Sequence, residues 1–454
     1  MRLLTVAAAL LAAAAARAEQ PAKTLFAGRL IYQDHATATL KWADVRVTAA
    51  NEYSLTPPAA VPGFPALDAA KQKLVQMQIV QNKVLVGVRD EEDGKFGSGW
   101  VMLTTNVKHH DHGDHGHWTA KGLPAVLETR IDADQGNPAH LYEYGGKFFL
   151  ATDRKNGYTR FDPAEWYQTA AGESKRGNPR FLPGGGNHIT LAVANDSVGY
   201  SCWIDGGGPN AGRVDVTPVG GPTIKYSFTL PSGVIHGATA CANKVFFAPA
   251  DGLCWVESDT RAALAPGDVK VHHLSLGQTG DKPNRTGAFE THGDHVLCVT
   301  GKEELAKLVV VRATAADPKP VSVPLHGKAG NKPLTPAVVA VNGRTPTAFV
   351  FHDHDPGVEA DDLLEVIALD PDGNKDYSDA RLVKVLKVGP SAVSGHFGHH
   401  AIAFDADARV AFITNPGDAT ISVLDLVKLE VRATIKVGGT PTALVAHGGR
   451  DGED

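Results

Sequence analysis

The sequence predicts an all-β protein that closes into a β-propeller, with eight blades favoured and seven as the alternative. Glycine and proline, 48 and 28 residues, are spread along the whole chain, and the apolar residues fall in short runs rich in β-branched and aromatic side chains. Short apolar runs bounded by turn residues are typical of strands. The third observation is an internal repeat of a kind that propellers use.

The repeat consists of an alternating strand, a turn of two to five residues and a strongly apolar strand. Its spacing of about 50 residues lies within the range of propeller repeats. Seven starts are visible, at 75 to 88, 140 to 153, 188 to 203, 236 to 257, 287 to 301, 336 to 353 and 399 to 426.

The two ends of the chain supply the eighth blade. The segment 441 to 448 has the pattern of a first strand with no room after it, and 25 to 45 has the pattern of its continuation. One blade built from both termini closes the ring and leaves no exposed edge strand inside it. Helix is scarce, and the best candidate is a brief stretch at Leu67 to Leu74.

The first 18 residues predict a secretory signal peptide. Arg2 precedes an apolar run from Leu3 to Ala16, and Ala16-Arg17-Ala18 provides a small-x-small cleavage site. The apolar run is shorter than the ~20 residues that cross a bilayer, and no cysteine at the cut offers a lipid anchor. We therefore expect a soluble, periplasmic chain beginning at Glu19, with residues 19 to 454 forming one propeller domain.

The charge of the mature chain argues against some classes of partner. Without the signal peptide it carries 42 basic and 50 acidic residues, a net charge of −8. This balance disfavours nucleic acid and anionic membranes as partners. We expect a monomer without membrane insertion.

Four cysteines remain after export, at positions 202, 241, 254 and 298. An oxidising compartment permits disulfides, and three pairings are possible. Cys241 and Cys254 are close enough in sequence to share one small sheet. No CxxC or CxxCH pattern is present, which removes c-type haem and a cysteine-rich zinc knuckle.

A histidine-rich loop at 105 to 121 is the strongest functional signal. Its centre has the sequence HHDHGDHGH, with five histidines and two aspartates in nine residues. Imidazole and carboxylate suit Zn²⁺, and histidine-rich tracts are typical of metal binding. A loop with more donors than four-coordinate zinc needs is suited to capturing an ion and passing it on. It is poorly suited to one rigid catalytic geometry. The candidate ligands are His109, His110, His112, Asp114, His115 and His117.

A second candidate site follows from the alignment of the repeats. His140, His188 and His236 each open the first strand of consecutive units. First strands line the central channel of a propeller, so equivalent positions on adjacent blades converge at one mouth of it. Three imidazoles there predict a zinc site with an open fourth position. His399 occupies the matching place in a later unit, across the ring.

The remaining histidines carry weaker predictions. His352 and His354 lie in FHDHD and could form a site with Asp353 and Asp355, but a solvated loop at a strand end is the favoured interpretation. The same interpretation holds for His292 and His295, which flank a turn. Neither a Ser-His-Asp ordering nor paired carboxylates can be argued from spacing alone, and the sequence predicts no enzyme.

Three segments resemble the AztD family, periplasmic zinc metallochaperones that accompany an ABC-type zinc importer. They are HDHGDHGH at 110 to 117, HGATACANKVFFAPADGLCWVES at 236 to 258, and the closing segment 418 to 449. The residues from 410 to 438 also resemble the YVTN class of propeller repeat, which indicates fold and says little about function.

The resemblance implies a propeller that binds zinc and passes it to the solute-binding protein of the importer. Zinc-binding roles transfer by motif to His110, His112, His115 and His117, and to His236 through its HG-containing strand. His140 and His188 rest on the alignment of the blades. The sequence departs from the family pattern in its additional His109 and His110, in the proline-rich segment 55 to 65, and in Cys202 and Cys298.

Two other functions remain open. The three channel histidines could hold the metal of an enzyme, with water or substrate at the open position. Alternatively, the chain could be a YVTN-like structural or interaction propeller with histidines on its surface. Copper or nickel could also replace zinc, because imidazole-rich sites bind those ions at least as tightly. The place of the loop between the units that begin near Val75 and His140, just before the first channel histidine, further predicts that it folds over the channel mouth and shares an ion with His140, His188 and His236 or relays one to them.

Overall fold

The computed structural model describes residues 24–92, 97–113, 116–169, 173–354, 357–358 and 361–450. Eight antiparallel sheets follow one another along these residues, and the predicted eight-bladed propeller is confirmed. The predicted signal peptide and the loop residues Asp114 and His115 lie outside the described residues.

Each blade contains four main strands that are antiparallel to their neighbours. The first four blades, with strands given from the first to the fourth, are blade 1 (Pro441–His447, Thr24–Asp34, Thr39–Thr48, Tyr53–Leu55), blade 2 (Gln72–Val80, Lys83–Asp90, Ser98–Thr104, Ala125–Asp132), blade 3 (Pro138–Tyr144, Lys147–Thr152, Gly157–Phe161, Arg180–Pro183) and blade 4 (Leu191–Ala194, Val198–Cys202, Arg213–Pro218, Tyr226–Thr229). In blade 1, Ala59–Ala60 also pairs with the third strand.

The second half of the ring has the same plan. It comprises blade 5 (Ala238–Cys241, Lys244–Phe247, Leu253–Glu257, His272–Leu274), blade 6 (Glu290–His292, His295–Thr300, Lys307–Arg312, Pro320–Pro324), blade 7 (Ala337–Val341, Thr345–His354, Leu363–Ala368, Arg381–Lys387) and blade 8 (Ile402–Phe404, Val410–Asn415, Thr420–Asp425, Glu430–Lys436). In blade 7, Asn331–Pro333 also pairs with the second strand.

Three two-stranded hairpins interrupt this pattern. They are Val107–Asp111 with Gly116–Ala120, Tyr167–Gln168 with Ser174–Lys175, and Gln278–Thr279 with Lys282–Pro283. The described residues otherwise form helix only in single 3-10 turns, at Asp153–Lys155, Pro163–Glu165, Pro266–Asp268, Glu303–Leu305 and Tyr377–Asp379.

Both termini build blade 1, as the sequence predicts. The strand Pro441–His447 pairs antiparallel with Thr24–Asp34, from Arg29 opposite His447 to Asp34 opposite Pro441. This pairing closes the ring with backbone hydrogen bonds between the two ends of the chain.

The apolar residues lie between the blades. Eight buried clusters occur, one at each junction of neighbouring blades. Successive side chains of each strand point in turn to the two neighbouring blades, which explains why the alternating pattern of the sequence predicts a propeller. The first strands of neighbouring blades contact one another around the ring and therefore line the central channel.

The helix predicted at Leu67 to Leu74 is wrong. The carbonyl of Asp68 accepts from the amides of Lys71 and Gln72 at 2.9 and 2.7 Å, which makes one turn. The chain then enters the first strand of blade 2, where Leu74 is buried against the core between blades 1 and 2. Tertiary packing overrides the weak local helical preference.

The two ends of the channel can be distinguished by strand direction. We call the end at which the first strands begin the start face, and the end at which they finish the end face. Asn137, just before the first strand of blade 3, donates its amide to Ser98 Oγ at the beginning of the third strand of blade 2, at 2.9 Å. First and third strands therefore begin on the same face. The seven-residue first strand of blade 3 separates the two faces by ~20 Å.

Candidate metal sites at the two ends of the channel

Three histidines meet at the start face, as the alignment of the blades predicts. His140 lies at the beginning of the first strand of blade 3. His188 and His236 lie just before the first strands of blades 4 and 5. Three consecutive blades thus each place one imidazole at the same level of the channel, a group we call the channel triad.

The rings of the channel triad are in contact. The Nε2 atoms of His140 and His188 are 2.9 Å apart. Ring centroids are separated by 4.6 Å for His140 and His188, 5.3 Å for His188 and His236, and 6.1 Å for His140 and His236. Small shifts of side chains would bring three imidazole nitrogens to the ~2.0–2.1 Å that zinc requires.

Hydrogen bonds fix which nitrogen two of the rings present. His188 Nδ1 lies 3.3 Å from Asp153 Oδ2, and His236 Nδ1 lies 3.2 Å from the carbonyl oxygen of Gly287. Both partners accept hydrogen bonds only, so each Nδ1 carries the proton and each Nε2 keeps its lone pair. A carboxylate or carbonyl behind the ring is the usual support of a zinc-bound histidine.

Asp153 is held in place from three sides. Its Oδ2 accepts from Arg89 Nη1 at 3.2 Å, and its Oδ1 accepts from the backbone amide of Ile189 at 3.1 Å. These donors hold the pKa of Asp153 below its usual range, although burial alone would raise it. The negative charge beside His188 is therefore permanent at neutral pH.

The channel triad favours neutral imidazoles. Burial, with repulsion from His188 and His236, lowers the pKa of His140 to about 3. Burial likewise lowers the pKa of His236, an effect that the hydrogen bond to Gly287 partly offsets. Neutral rings are the form that binds a transition metal, so protons compete weakly for these nitrogens.

Acidification is expected to destabilise the metal-free protein through His140. Its pKa of 6.5 in the unfolded chain falls to about 3 on folding, so the unfolded state binds more protons and stability is lost as the pH falls from 6.5 toward 3. At pH 5 this residue costs about 2 kcal/mol relative to pH 7.5. Urea unfolding of wild type and His140→Gln at both pH values measures the effect. Equal losses of unfolding free energy in the two proteins would refute it.

The predicted histidine-rich loop is the hairpin Val107–Asp111 with Gly116–Ala120. His110 lies opposite His117 in its register, and the two rings stack at 5.0 Å. His112 stacks on His117 from beyond the strand end, also at 5.0 Å. We call His110, His112 and His117 the hairpin triad, because their rings share one face of the hairpin.

His109 belongs to the other face of the hairpin. Its ring packs on Trp118 at 4.7 Å between centroids, and Trp118 in turn contacts the ring of His447 at 5.4 Å. Alternation along a strand explains the separation, since neighbouring residues point to opposite sides. His109 therefore anchors the hairpin to blade 1 and lies apart from the hairpin triad.

The hairpin lies at the end face, on the opposite side of the propeller from the channel triad. It joins the end of the third strand of blade 2 to the fourth strand, and Thr105 Oγ1 at its base is 2.6 Å from Nδ1 of His447, the last residue of the first strand of blade 1. The prediction that the loop folds over His140, His188 and His236 is wrong. Strand parity decides the side, because a connection between third and fourth strands emerges where first strands end.

His399 lies across the ring from the channel triad, as predicted, and has different partners. Its Nδ1 is 2.9 Å from Asp353 Oδ2, at the junction of blades 7 and 8. Asp353 and His352 are buried, at 2% and 0% exposure, so the expectation of a solvated loop at these two positions is wrong. Residue 355 lies outside the described residues.

Asp153 was not identified from the sequence, whereas Asp353 was named as a possible ligand beside His352 and His354. Asp153 and Asp353 occupy the same place, at the end of the second strand of their blade, and each binds the histidine that opens the next blade. The recurring TD and HD pairs at these ends are the signal that could have identified Asp153. His400 and Asp362 were also not identified, and no such signal marks them.

The four cysteines are all buried free thiols in the structure. Burial raises the pKa of Cys202 and Cys298 to about 12, which keeps both protonated. Cys241 and Cys254 do share one sheet, on the first and third strands of blade 5. Within the described part of the chain, no helix is long and apolar enough to span a membrane.

Together, these features define the class of the protein: an eight-bladed propeller with three clustered histidines at one end of its channel and a histidine hairpin at the other.

A protein of known structure has the same fold. The chain is similar to Citrobacter koseri AztD in a crystal structure, with a TM-score of 0.62 and 16% identity over 94% of this chain and 99% of that chain. The structure of apo AztD from Citrobacter koseri gives a TM-score of 0.62 and 15% identity over the same shares. No protein-family model and no curated protein sequence matches the chain. The resemblance to AztD that the sequence predicts is confirmed at the level of the fold.

Proposed function

We propose that the protein is a periplasmic zinc metallochaperone, which binds zinc and delivers it to the solute-binding protein of an ABC zinc importer. The observation that carries the proposal is the channel triad, with Nε2 of His188 directed at Nε2 of His140 and backed by Asp153. The likeness to AztD in fold and in the histidine-rich segment supports the choice of zinc and of the acceptor.

The channel triad is suited to retaining an ion. Its three nitrogen donors lie at the beginning of, or just before, the first strands of three consecutive blades, and the ligands of such a site need little reorganisation on binding. A fourth position stays open for water or for a group of the acceptor protein. Zinc is the cargo that a neutral trigonal set of imidazoles fits best among ions without redox chemistry.

The hairpin triad is suited to exchanging an ion. It projects from the end face on a two-stranded hairpin, and His110 and His112 approach His117 from two sides. With the candidates Asp114 and His115 nearby in sequence, it offers more donors than zinc needs. A docked acceptor can then replace one ligand at a time, so the ion never has to enter solvent.

Removing the charge behind His188 is expected to weaken zinc binding at the channel triad by about 10-fold to 100-fold. The change Asp153→Asn keeps the size of the side chain but lowers the basicity of the ligand that it supports. The dissociation constant is measured by competition with a chromophoric chelator. Asp196→Asn, which removes a partner of Arg160 at 2.6 Å, is the matched control and should leave affinity unchanged; equal effects of the two substitutions would count against a supporting role for Asp153.

A metalloenzyme is the second candidate, because a three-histidine site with an open position is also the arrangement of catalytic zinc. Zinc-loaded protein mixed with an apo solute-binding protein and a competing chelator separates the two functions. Loss of zinc to the acceptor, faster than loss to the chelator alone, supports the metallochaperone. Zinc that stays on the propeller, together with hydrolysis of ester or phosphoester substrates, would support the enzyme. Protein that binds no metal at all would support neither function and would indicate a structural or interaction propeller.

A further inference from the structure

A second group of ionisable side chains lies at the start face, on the far side of the ring from the channel triad. Asp353 ends the second strand of blade 7, Asp362 precedes its third strand, and His400 precedes the first strand of blade 8. Their side chains are almost completely buried, with exposures of 2%, 2% and 5%. One candidate ligand atom from each lies within 4.8 Å of the others.

The hydrogen-bond partners of His400 require one N–H more than a neutral imidazole carries. Its Nε2 is 2.8 Å from the carbonyl oxygen of Gly389, and its Nδ1 is 2.7 Å from Asp353 Oδ1. Both partners only accept hydrogen bonds, whereas a neutral imidazole has a single N–H. Both ring nitrogens must therefore carry a proton in the metal-free protein, and the proton between Nδ1 and the carboxylate is the one that a metal ion would replace.

The surroundings contain more negative charge than one imidazolium neutralises. Asp362 is a second buried carboxylate, and its Oδ2 accepts from the backbone amide of Ser391 at 2.5 Å. The hydroxyl oxygen of Ser391 is itself buried without a hydrogen-bond partner among the described residues. Burying an unneutralised carboxylate is costly, and a divalent cation neutralises two at once.

Outer histidines orient both carboxylates. His399 Nδ1 is 2.9 Å from Asp353 Oδ2, and His354 Nδ1 is 2.5 Å from Asp362 Oδ1. Each carboxylate is therefore held on one oxygen by a ring at the surface, while Asp353 Oδ1 faces inward to His400. Hydrogen-bonded carboxylates of fixed orientation are typical of metal sites.

We propose that Asp353, Asp362 and His400 form a third metal site, which takes a divalent transition-metal ion through one nitrogen and two carboxylate oxygens. Zinc is the divalent transition-metal ion that we would use to test this site. Tetrahedral zinc keeps its ligand atoms ~3.3 Å apart, so His400 Nδ1 and Asp353 Oδ1, which are 2.7 Å apart, would move apart by about 0.6 Å to admit the ion. Because the ligands come from blades 7 and 8, the ion joins these blades, and its burial makes it a structural ion that is not exchanged with an acceptor.

The test uses the full chain without its other two sites. In a background with His140, His188, His236, His109, His110, His112, His115 and His117 changed to alanine, we expect one bound zinc per chain and a higher melting temperature with zinc than with chelator. Adding Asp362→Asn should abolish both. Adding Asp379→Asn, in the other group of carboxylates in blade 7 that could hold an ion, should change neither. A background protein without bound zinc, or an Asp362→Asn protein with undiminished zinc, overturns the proposal.

Crystals of the zinc-saturated wild-type protein provide a second test that does not depend on the folding of any variant. We expect an anomalous peak at the zinc absorption edge between Asp353, Asp362 and His400. A map that shows zinc elsewhere but none here refutes the third site and leaves the metallochaperone proposal intact.

Discussion

The change His188→Ala is expected to weaken zinc binding at the channel triad by more than about 100-fold, since even changes behind a zinc-bound histidine cost 10-fold to 100-fold. His188 is the middle ring of the three, with its Nε2 2.9 Å from that of His140 and its centroid 5.3 Å from that of His236. The substitution removes the ligand that lies between the other two, so only two imidazoles remain to bind the ion. Isothermal titration in a background with the hairpin histidines changed to alanine and with Asp362→Asn measures this site alone.

His273→Ala is the matched control for that titration. His273 is an exposed histidine on the outer strand of blade 5, where its Nε2 lies 3.1 Å from the carbonyl oxygen of Asp251. The substitution removes an imidazole from the same protein without touching the channel. Affinity that falls equally in the two variants would mean that the binding detected is not that of the channel triad.

Replacing His110, His112 and His117 together by alanine is expected to slow zinc transfer to an acceptor at least about tenfold, which corresponds to ~1.4 kcal/mol on the barrier. The zinc affinity of the channel triad should change less than about twofold, because sites ~20 Å apart without shared partners behave independently. Stopped-flow transfer to an apo solute-binding protein measures the rate, and chelator competition measures the affinity.

The transfer rate and the affinity of the channel triad test different parts of the proposal. Unchanged transfer after loss of the hairpin triad would show that the start face delivers the ion directly. Channel affinity that falls with the hairpin histidines would show instead that the two ends of the propeller share one ion, against the placement of the hairpin beside Thr105 and His447 at the end face.

The sequence was sufficient to predict the fold because each blade repeats the same local pattern. Alternating residues face the two neighbouring blades, and the eight buried clusters between blades follow directly from that alternation. The joining of the two termini in blade 1 was predictable for the same reason, since 441 to 448 and 25 to 45 each carry half of one repeat.

The channel triad was predictable because its three members occupy equivalent places in consecutive repeats. The position of the hairpin was not, because it depends on whether a connection follows an odd or an even strand of its blade. A one-strand difference moves a loop from one end of the channel to the other. Proximity in sequence to His140 was therefore a poor guide to proximity in space.

The cluster at Asp353 was misjudged for a different reason. A polar run such as FHDHD resembles a solvated loop when it is considered alone, but Asp353 within it binds His399 and His400 at the start of the next blade. Partners 46 and 47 residues away in sequence leave no local signature. Long-range hydrogen bonding decides the environment of these side chains.

The most direct test of the central claim is a crystal structure of the zinc-loaded protein with anomalous scattering data at the zinc edge. We expect a peak ~2.0–2.1 Å from one ring nitrogen of each of His140, His188 and His236, with Nε2 as that atom in His188 and His236. Zinc density only at the hairpin or at Asp353, with the three rings still in contact and no ion between them, would contradict zinc binding by the channel triad.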